Sequence, residues 1–185
     1  MARLSALADD GDATVRLGVA TAARQLVSGS LTVDSDLKGA DTGGILVALV
    51  QSSASGKDPL LPFMIWMAAE PGFAARPQGA LEWLANDGGA NMPLAGILAR
   101  KAMRRLCDLQ DRPKLDLVVD FLKRAVQSSE PLTIAAIEGL IEAQRAKPLL
   151  PSVDTIPLFE KLRSLRNPPS SQWPPSSIRN ALSTG

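Results

Sequence analysis

The sequence predicts an all-α protein, an α-α superhelix built from stacked antiparallel helix pairs. Three observations lead to this prediction: apolar residues recur at helical spacing, prolines and aspartates stand where helices should start, and one segment repeats at an interval typical of helical solenoids. The 185 residues are enough for one hydrophobic core. No stretch alternates apolar and polar residues as a half-buried strand would.

The clearest amphipathic helix is predicted from Leu115 onward. At about 100° per residue, one continuous arc holds only apolar side chains, namely Leu115, Leu117, Val118, Val119, Phe121, Leu122, Ala125 and Val126. Pro113 fits the first turn, and Asp120 and Arg124 have the spacing of an ion pair. The same periodicity predicts helices near 13–27, 43–54, 58–70, 77–86, 92–108, 131–146 and 154–166.

The chain is predicted to consist of one helical domain and a short tail. Residues 1–166 hold all the predicted helices, and 28–42 form their longest connecting loop. Residues 167–185 are rich in proline and serine, a composition that favours an extended linker or tail. Because Trp173 is a large aromatic residue within this polar tail, it is a candidate partner-binding residue.

One segment of the N-terminal half is repeated. Residues 12–23 align without gaps with residues 58–69, an offset of 46. Helical solenoid repeats recur about every 40–47 residues. In both copies an aspartate can cap a helix, an apolar residue opens the buried stripe, and paired alanines allow close packing. Two unrelated amphipathic helices would also explain the match, and the fold would still be all-α.

The first copy resembles the HEAT-repeat pattern. In that pattern a short helix meets an Asp-containing turn, and Val-Arg opens the second helix, as in residues 7–16 here. Ala20, Ala23 and Leu26 continue the pattern, while Ala13 stands where the repeat usually has proline. The resemblance implies that the stacked pairs are HEAT-like.

A narrower resemblance points to one group of bacterial proteins. Residues 58–70 and 103–106 resemble the central helical module of large planctomycete and verrucomicrobial membrane-bound dehydrogenases. The likeness covers residues 1–166, although Met67 stands where a second tryptophan is often found. In that family a propeller precedes the module and a c-type haem domain follows it. The resemblance implies a non-catalytic spacer or docking module of an exported, periplasmic redox protein.

The residue inventory excludes most familiar catalytic sites. The chain has no histidine, no tyrosine and one cysteine, so it cannot supply the C-x-x-C-H motif that attaches c-type haem. We predict no catalytic, cofactor-binding or metal-ligating residue, and we expect Cys107 to be a buried structural thiol. A small enzyme that uses carboxylates alone is the remaining enzymatic hypothesis, but no carboxylate pair converges in the sequence pattern.

Charge is distributed unevenly along the chain. Residues 91–185 carry 14 Lys and Arg against 9 Asp and Glu, which gives +5, whereas the preceding residues carry 6 against 10, which gives −4. On the predicted helix 92–108, four cations share one arc and are candidate partner-binding residues: Arg100, Lys101, Arg104 and Arg105. A solvated basic face with internal ion pairs to Asp108 or Glu138 would explain the same pattern.

The apolar residues predict core positions and no membrane-inserted segment. Most aromatic side chains fall on helical apolar positions, and residues 60–69 are apolar on all sides, so we expect a central helix packed on two sides with Trp66 buried. No apolar stretch approaches the ~20 residues of a membrane span. We also expect no signal peptide, because Asp9, Asp10 and Asp12 interrupt the N-terminal residues.

These observations predict a non-catalytic scaffold or interaction module without a cofactor. Its partner would be another protein or a neighbouring domain of the same parent chain. The alternative is a free-standing adaptor that binds an acidic protein through the basic helix face. Nucleic acid is the less favoured ligand, because no aromatic residue is interleaved with the four cations.

Overall fold

The computed structural model describes residues 2–28, 42–52, 58–146 and 148–164. In these residues all regular secondary structure is helical, which confirms the predicted all-α class. In chain order the helices are α1 (Ala2–Leu7), α2 (Ala13–Ser28), α3 (Thr42–Gln51), α4 (Leu61–Ala75), α5 (Pro77–Ala85), α6 (Asp87–Ala90), α7 (Ala95–Asp108), α8 (Arg112–Ser128), α9 (Glu130–Ala146) and α10 (Ile156–Ser164).

The predicted helices are found with small shifts at their ends. α1 was expected only from the HEAT resemblance, and the single-turn α6 was not predicted. Most of the predicted loop 28–42 and all of the predicted tail, including Trp173, lie outside the described residues.

The helix contacts fall into two rows. In the first row α2 packs on α4, α4 on α7, and α7 on α9. In the second row α1 contacts α3, and α8 lies between α5 and α10. Contacts between the rows join neighbours along the chain, such as α3 with α4 and α8 with α9. One cluster of buried apolar side chains extends through both rows, from Ala8 to Leu162.

The helical periodicity of the sequence identified the core correctly in α8. Of the eight side chains on the predicted apolar arc of α8, seven are buried and Leu117 is half-buried. The apolar side of α7 is buried as well, through Leu98, Ala99, Ala102, Met103 and Leu106. Burial of one stripe of each helix therefore positions the opposite, polar stripe of α7 at the surface.

The aspartates of the two repeat copies both accept backbone hydrogen bonds. Asp12 Oδ1 accepts from the N–H of Thr14 at 2.8 Å, and Asp58 Oδ1 accepts from Leu60 and Leu61 at 2.8 Å each. These two backbone bonds hold the pKa of Asp58 below its usual range, with a smaller contribution from the positive charge of Arg16. The Asp58 carboxylate thus caps the turn that leads into α4.

Helix α4 continues beyond Pro71, where the sequence predicted it to end. Proline has no N–H to donate to the preceding turn, so an interior proline usually breaks a helix. Here the continuation buries Phe73, and its ring centroid lies 5.8 Å from that of Trp66. The apolar area that Phe73 buries offsets the lost hydrogen bond.

One expectation about apolar residues, the all-round burial of α4, is corrected by the structure. Trp66 is buried as predicted, with 8% of its surface exposed, but Phe63 is 51% exposed. Leu60 and Phe159 are exposed too. Because α4 packs against α2, α3, α5 and α7, its remaining side faces solvent, and the prediction of an all-round buried helix was wrong there.

The predicted ion pair between Asp120 and Arg124 is not formed. Asp120 instead contacts Lys123 at 3.3 Å, and Arg124 lies 3.8 Å from Glu82 of α5. The packing of α8 against α5 places the Glu82 carboxylate within reach of Arg124. A partner on another helix thus replaces the local one.

The close packing of α7 against α9 requires glycine at position 139. A Cβ atom at position 139 would overlap the backbone carbonyl group of Arg100 on α7. The absence of a side chain allows the two helix backbones to touch, and this close contact sets the position of α7 beside α9.

We predict that Gly139→Ala destabilises the protein by about 1–3 kcal/mol, because the added methyl group forces α7 and α9 apart. The matched control is Gly18→Ala on α2, where the new Cβ meets nothing within 4 Å. That control should gain about 0.5–1 kcal/mol from the higher helix propensity of alanine. Denaturant unfolding followed by circular dichroism measures both; unchanged stability of Gly139→Ala would contradict the contact.

We predict that Trp66→Ala costs about 3–5 kcal/mol, since it leaves a cavity beside Phe73. Phe63→Ala on the same helix serves as the control, and its half-exposed ring should cost less than about 1 kcal/mol. Thermal unfolding compares the variants. Equal stability of the two would show that Trp66 is not a core residue.

Candidate functional site

A groove of about 470 Å³ runs along the polar side of α7, between α4 and α9. Its lining consists of Trp66, Glu70, Ile97, Arg100, Lys101, Arg104, Arg105, Asp108 and Glu142. All four cations that the sequence singled out on this helix therefore line the same groove. Trp173, the remaining candidate, lies outside the described residues.

The helical repeat explains how α7 supplies most of this lining. Residues three and four apart lie on one helix face, so Ile97, Arg100 and Arg104 form a stripe, with Lys101 beside it. The flanking helices add their own stripes. Trp66 and Glu70 stand four residues apart on α4, and α9 contributes Glu142.

Arg100 and Arg105 link α7 through ion pairs to the helices on either side, α9 and α4. Arg100 bonds to Glu142 of α9 and lies 3.4 Å from Glu138 on the same helix. The hydrogen bond from Arg100 holds the pKa of Glu142 below its usual range and raises that of the guanidinium. On the other side, Arg105 bonds to Glu70 of α4. Two of the four candidate cations are thus neutralised within the fold.

Lys101 and Arg104 are less completely paired than the other two cations. The Arg104 side chain is 63% exposed, and its Nε lies 3.9 Å from Asp108, at the limit of an ion pair. The Lys101 ammonium lies 5.7 Å from the centroid of the Phe63 ring, a cation–π distance. Among the described residues, no carboxylate forms an ion pair with Lys101. These two cations can therefore accept an external anion.

Exposed apolar side chains accompany these cations. Ile97 lines the groove and is 39% exposed. Phe63 is not among the lining residues, but it is half-exposed and lies beside Lys101, which is. The floor includes the small exposed part of Trp66. The groove is therefore neither purely basic nor purely apolar.

The sequence identified the basic half of this site and missed the other half. The ion pairs with Asp108 and Glu138, which the sequence offers as one explanation of the basic face, are both present. Glu70 and Glu142 were missed because they stand on other helices. Ile97 could have been identified from the sequence, since it is an apolar residue on the polar arc of α7.

The opposite side of α7 offers no reactive group. Cys107 is buried as predicted, and burial, helped by the charge of Asp108, raises the pKa of its thiol to about 11. The thiol is therefore protonated at neutral pH and is a poor nucleophile. In the part of the chain that the structure describes, no three Cys, Asp or Glu side chains form a group that could hold a metal ion.

Across the described ranges, no helix has both the length and the apolar character needed to cross a bilayer.

Comparisons with protein-family models, with curated proteins and with solved structures find no match to this chain. The function of the chain must therefore be inferred from the geometry of the groove.

We predict that the ion pair between Arg100 and Glu142 makes stability depend on pH at acidic values. The pKa of Glu142 is lower in the folded chain, so the contribution is complete at neutral pH, begins to fall near the unfolded value of about 4.3, and is lost as the pH drops through the folded pKa. Glu142→Gln should thus lower the melting temperature at neutral pH, by an amount that corresponds to at most about 1 kcal/mol for such a surface pair.

The measurement is the difference in melting temperature between Glu142→Gln and the parent chain, followed from about pH 7 to about pH 3. This difference should shrink as the pH falls. Glu160→Gln, at an exposed position on α10, controls for the loss of one carboxylate. A difference that stays constant with pH would rule out a charge effect at Glu142.

Proposed function

We propose that this chain is a non-catalytic scaffold, a superhelix of HEAT-like antiparallel helix pairs that binds a protein partner through the groove along α7. The observation that carries the proposal is the coexistence of two incompletely paired cations, Lys101 and Arg104, with the exposed apolar side chains of Phe63 and Ile97. Protein interfaces combine such apolar contact with charges that select the partner.

The two rows of helices support the HEAT-like part of the proposal. In a solenoid of helix pairs, the second helix of each pair stacks on the second helix of the next. The contacts of α2 with α4, α4 with α7 and α7 with α9 follow this order. The groove is built by three helices of this row, α4, α7 and α9, and the second helices are the ones that commonly form the binding surface of solenoids.

The chemistry of the groove supports a non-catalytic role. Of its three carboxylates, Glu70 and Glu142 are bonded to arginines, and Asp108 lies 3.9 Å from Arg104, so none is placed as a free general base. The chain has no histidine, and its one thiol is buried and protonated. The incompletely paired cations and the exposed apolar side chains of this surface are suited to binding a partner.

The resemblance of residues 58–70 and 103–106 to the helical module of membrane-bound dehydrogenases suggests where such a scaffold would act. In that context the chain is part of a larger exported protein, and the groove receives a neighbouring domain of the same protein. The alternative is a free-standing adaptor whose groove receives a separate acidic protein. Both forms of the proposal use the same groove.

The test is selection of random peptides displayed on phage against the full chain. Each selected clone is then bound to two charge-reversed variants, Arg104→Glu in the groove and Arg112→Glu on α8. The two variants change the net charge equally, so only the position of the change differs. Both are checked for unchanged melting temperature before binding is compared.

We expect most clones to lose about tenfold or more in affinity for Arg104→Glu and to bind Arg112→Glu as they bind the parent chain. If the affinity of the clones is unchanged by Arg104→Glu, or falls equally with both variants, the groove is not the binding surface.

A further inference from the structure

The residues that line the groove limit which chemical groups a partner can present to it. Of its four cations, Arg100 and Arg105 already bond to carboxylates of α9 and α4. Only Lys101 and Arg104 remain for an external anion. A partner therefore gains two charge contacts at this site, and each exposed contact contributes no more than about 1 kcal/mol.

Two such contacts are too weak to define a specific complex. A contact of micromolar affinity needs about 8 kcal/mol. The additional free energy can come from the exposed apolar surface of Ile97, which lines the groove with both cations, and of Phe63, which lies beside Lys101. The partner must consequently offer apolar side chains together with its negative charges.

The position of the two cations suggests how the charges of the partner are spaced. Lys101 and Arg104 stand three residues apart on α7, so their Cβ atoms are about 5–6 Å apart. Carboxylates on successive turns of a helix have the same separation. An amphipathic helix places its carboxylates and apolar residues on adjoining stripes, as the groove requires.

We propose that the groove along α7 binds an acidic amphipathic helix of a protein partner. Carboxylates one turn apart on that helix pair with Lys101 and Arg104, and its apolar stripe packs on Ile97 and Phe63. This inference rests on the proposed function and adds the chemical class of the partner.

A polyanion such as nucleic acid fits the groove less well. A duplex carries a phosphate charge about every 1.7 Å along its axis, and only Lys101 and Arg104 are available in the groove to pair with these charges. A duplex would also leave Ile97 and Phe63 without an apolar contact. With two cations available, its affinity would depend only weakly on salt, because each phosphate contact contributes a slope of about −0.9.

The experiment uses three fluorescently labelled synthetic peptides and the full chain. The mixed peptide has about four helical turns, with Leu on one stripe and Glu one turn apart on the next. In the charge-only control Ser replaces every Leu, and in the apolar-only control Gln replaces every Glu. A duplex DNA of generic sequence is the fourth probe. Fluorescence anisotropy at low and high salt measures each affinity.

We expect the mixed peptide to bind at least about tenfold more tightly than either control peptide or the duplex. Arg104→Glu should weaken binding of the mixed peptide about tenfold and reduce the dependence of this affinity on salt. Arg112→Glu should change the affinity and its salt dependence by less than about twofold. Ile97→Ser should weaken binding without changing the salt dependence, because it removes apolar contact only.

Other outcomes separate this inference from the proposed function. If the apolar-only peptide binds as tightly as the mixed one, or if the duplex binds best, the acidic-helix proposal is wrong. Failure of all three peptides overturns it as well, yet the proposed function stands as long as the phage-selected clones depend on Arg104. If those clones do not depend on Arg104, both proposals fail.

Discussion

The placement of α7 between α4 and α9 is the constraint on which the rest of the structure depends. Its apolar side is buried in the core, and the backbone contact at Gly139 holds it against α9. Ion pairs then join its polar side to both neighbours, through Arg100 with Glu142 and Arg105 with Glu70. Because three helices meet in this way, a groove forms along the exposed side of α7.

The same ion pairs that hold the groove together also determine which of its cations remain open to an external anion. Arg100 and Arg105 contribute to the attachment of α7, so their charges are largely neutralised by carboxylates within the fold. Lys101 and Arg104 project from the same helix with weaker partners. Together with the exposed side chain of Phe63, they make a surface on which, in the proposed function, charge selects the partner and apolar contact supplies most of the affinity.

Much of the fold was predictable because it depends on local patterns. The buried stripes of α7 and α8 follow from a period of 3.6 residues, and the cap by Asp58 follows from the short reach of an aspartate. The end of α4 was predicted wrongly because the burial of Phe73 outweighs the helix-breaking effect of Pro71. The exposure of Phe63 was missed because it depends on which sides of α4 other helices cover.

The sequence by itself determined the all-α class, the core faces of the long helices and the row of cations on α7. These depend on neighbours within one or two turns, which can be read along the chain. Only the tertiary structure decided which of those cations are neutralised, since Glu70 and Glu142 stand on helices far away in sequence. It also placed Trp66 and Ile97 in one groove, because long-range helix packing brings α4 and α7 together.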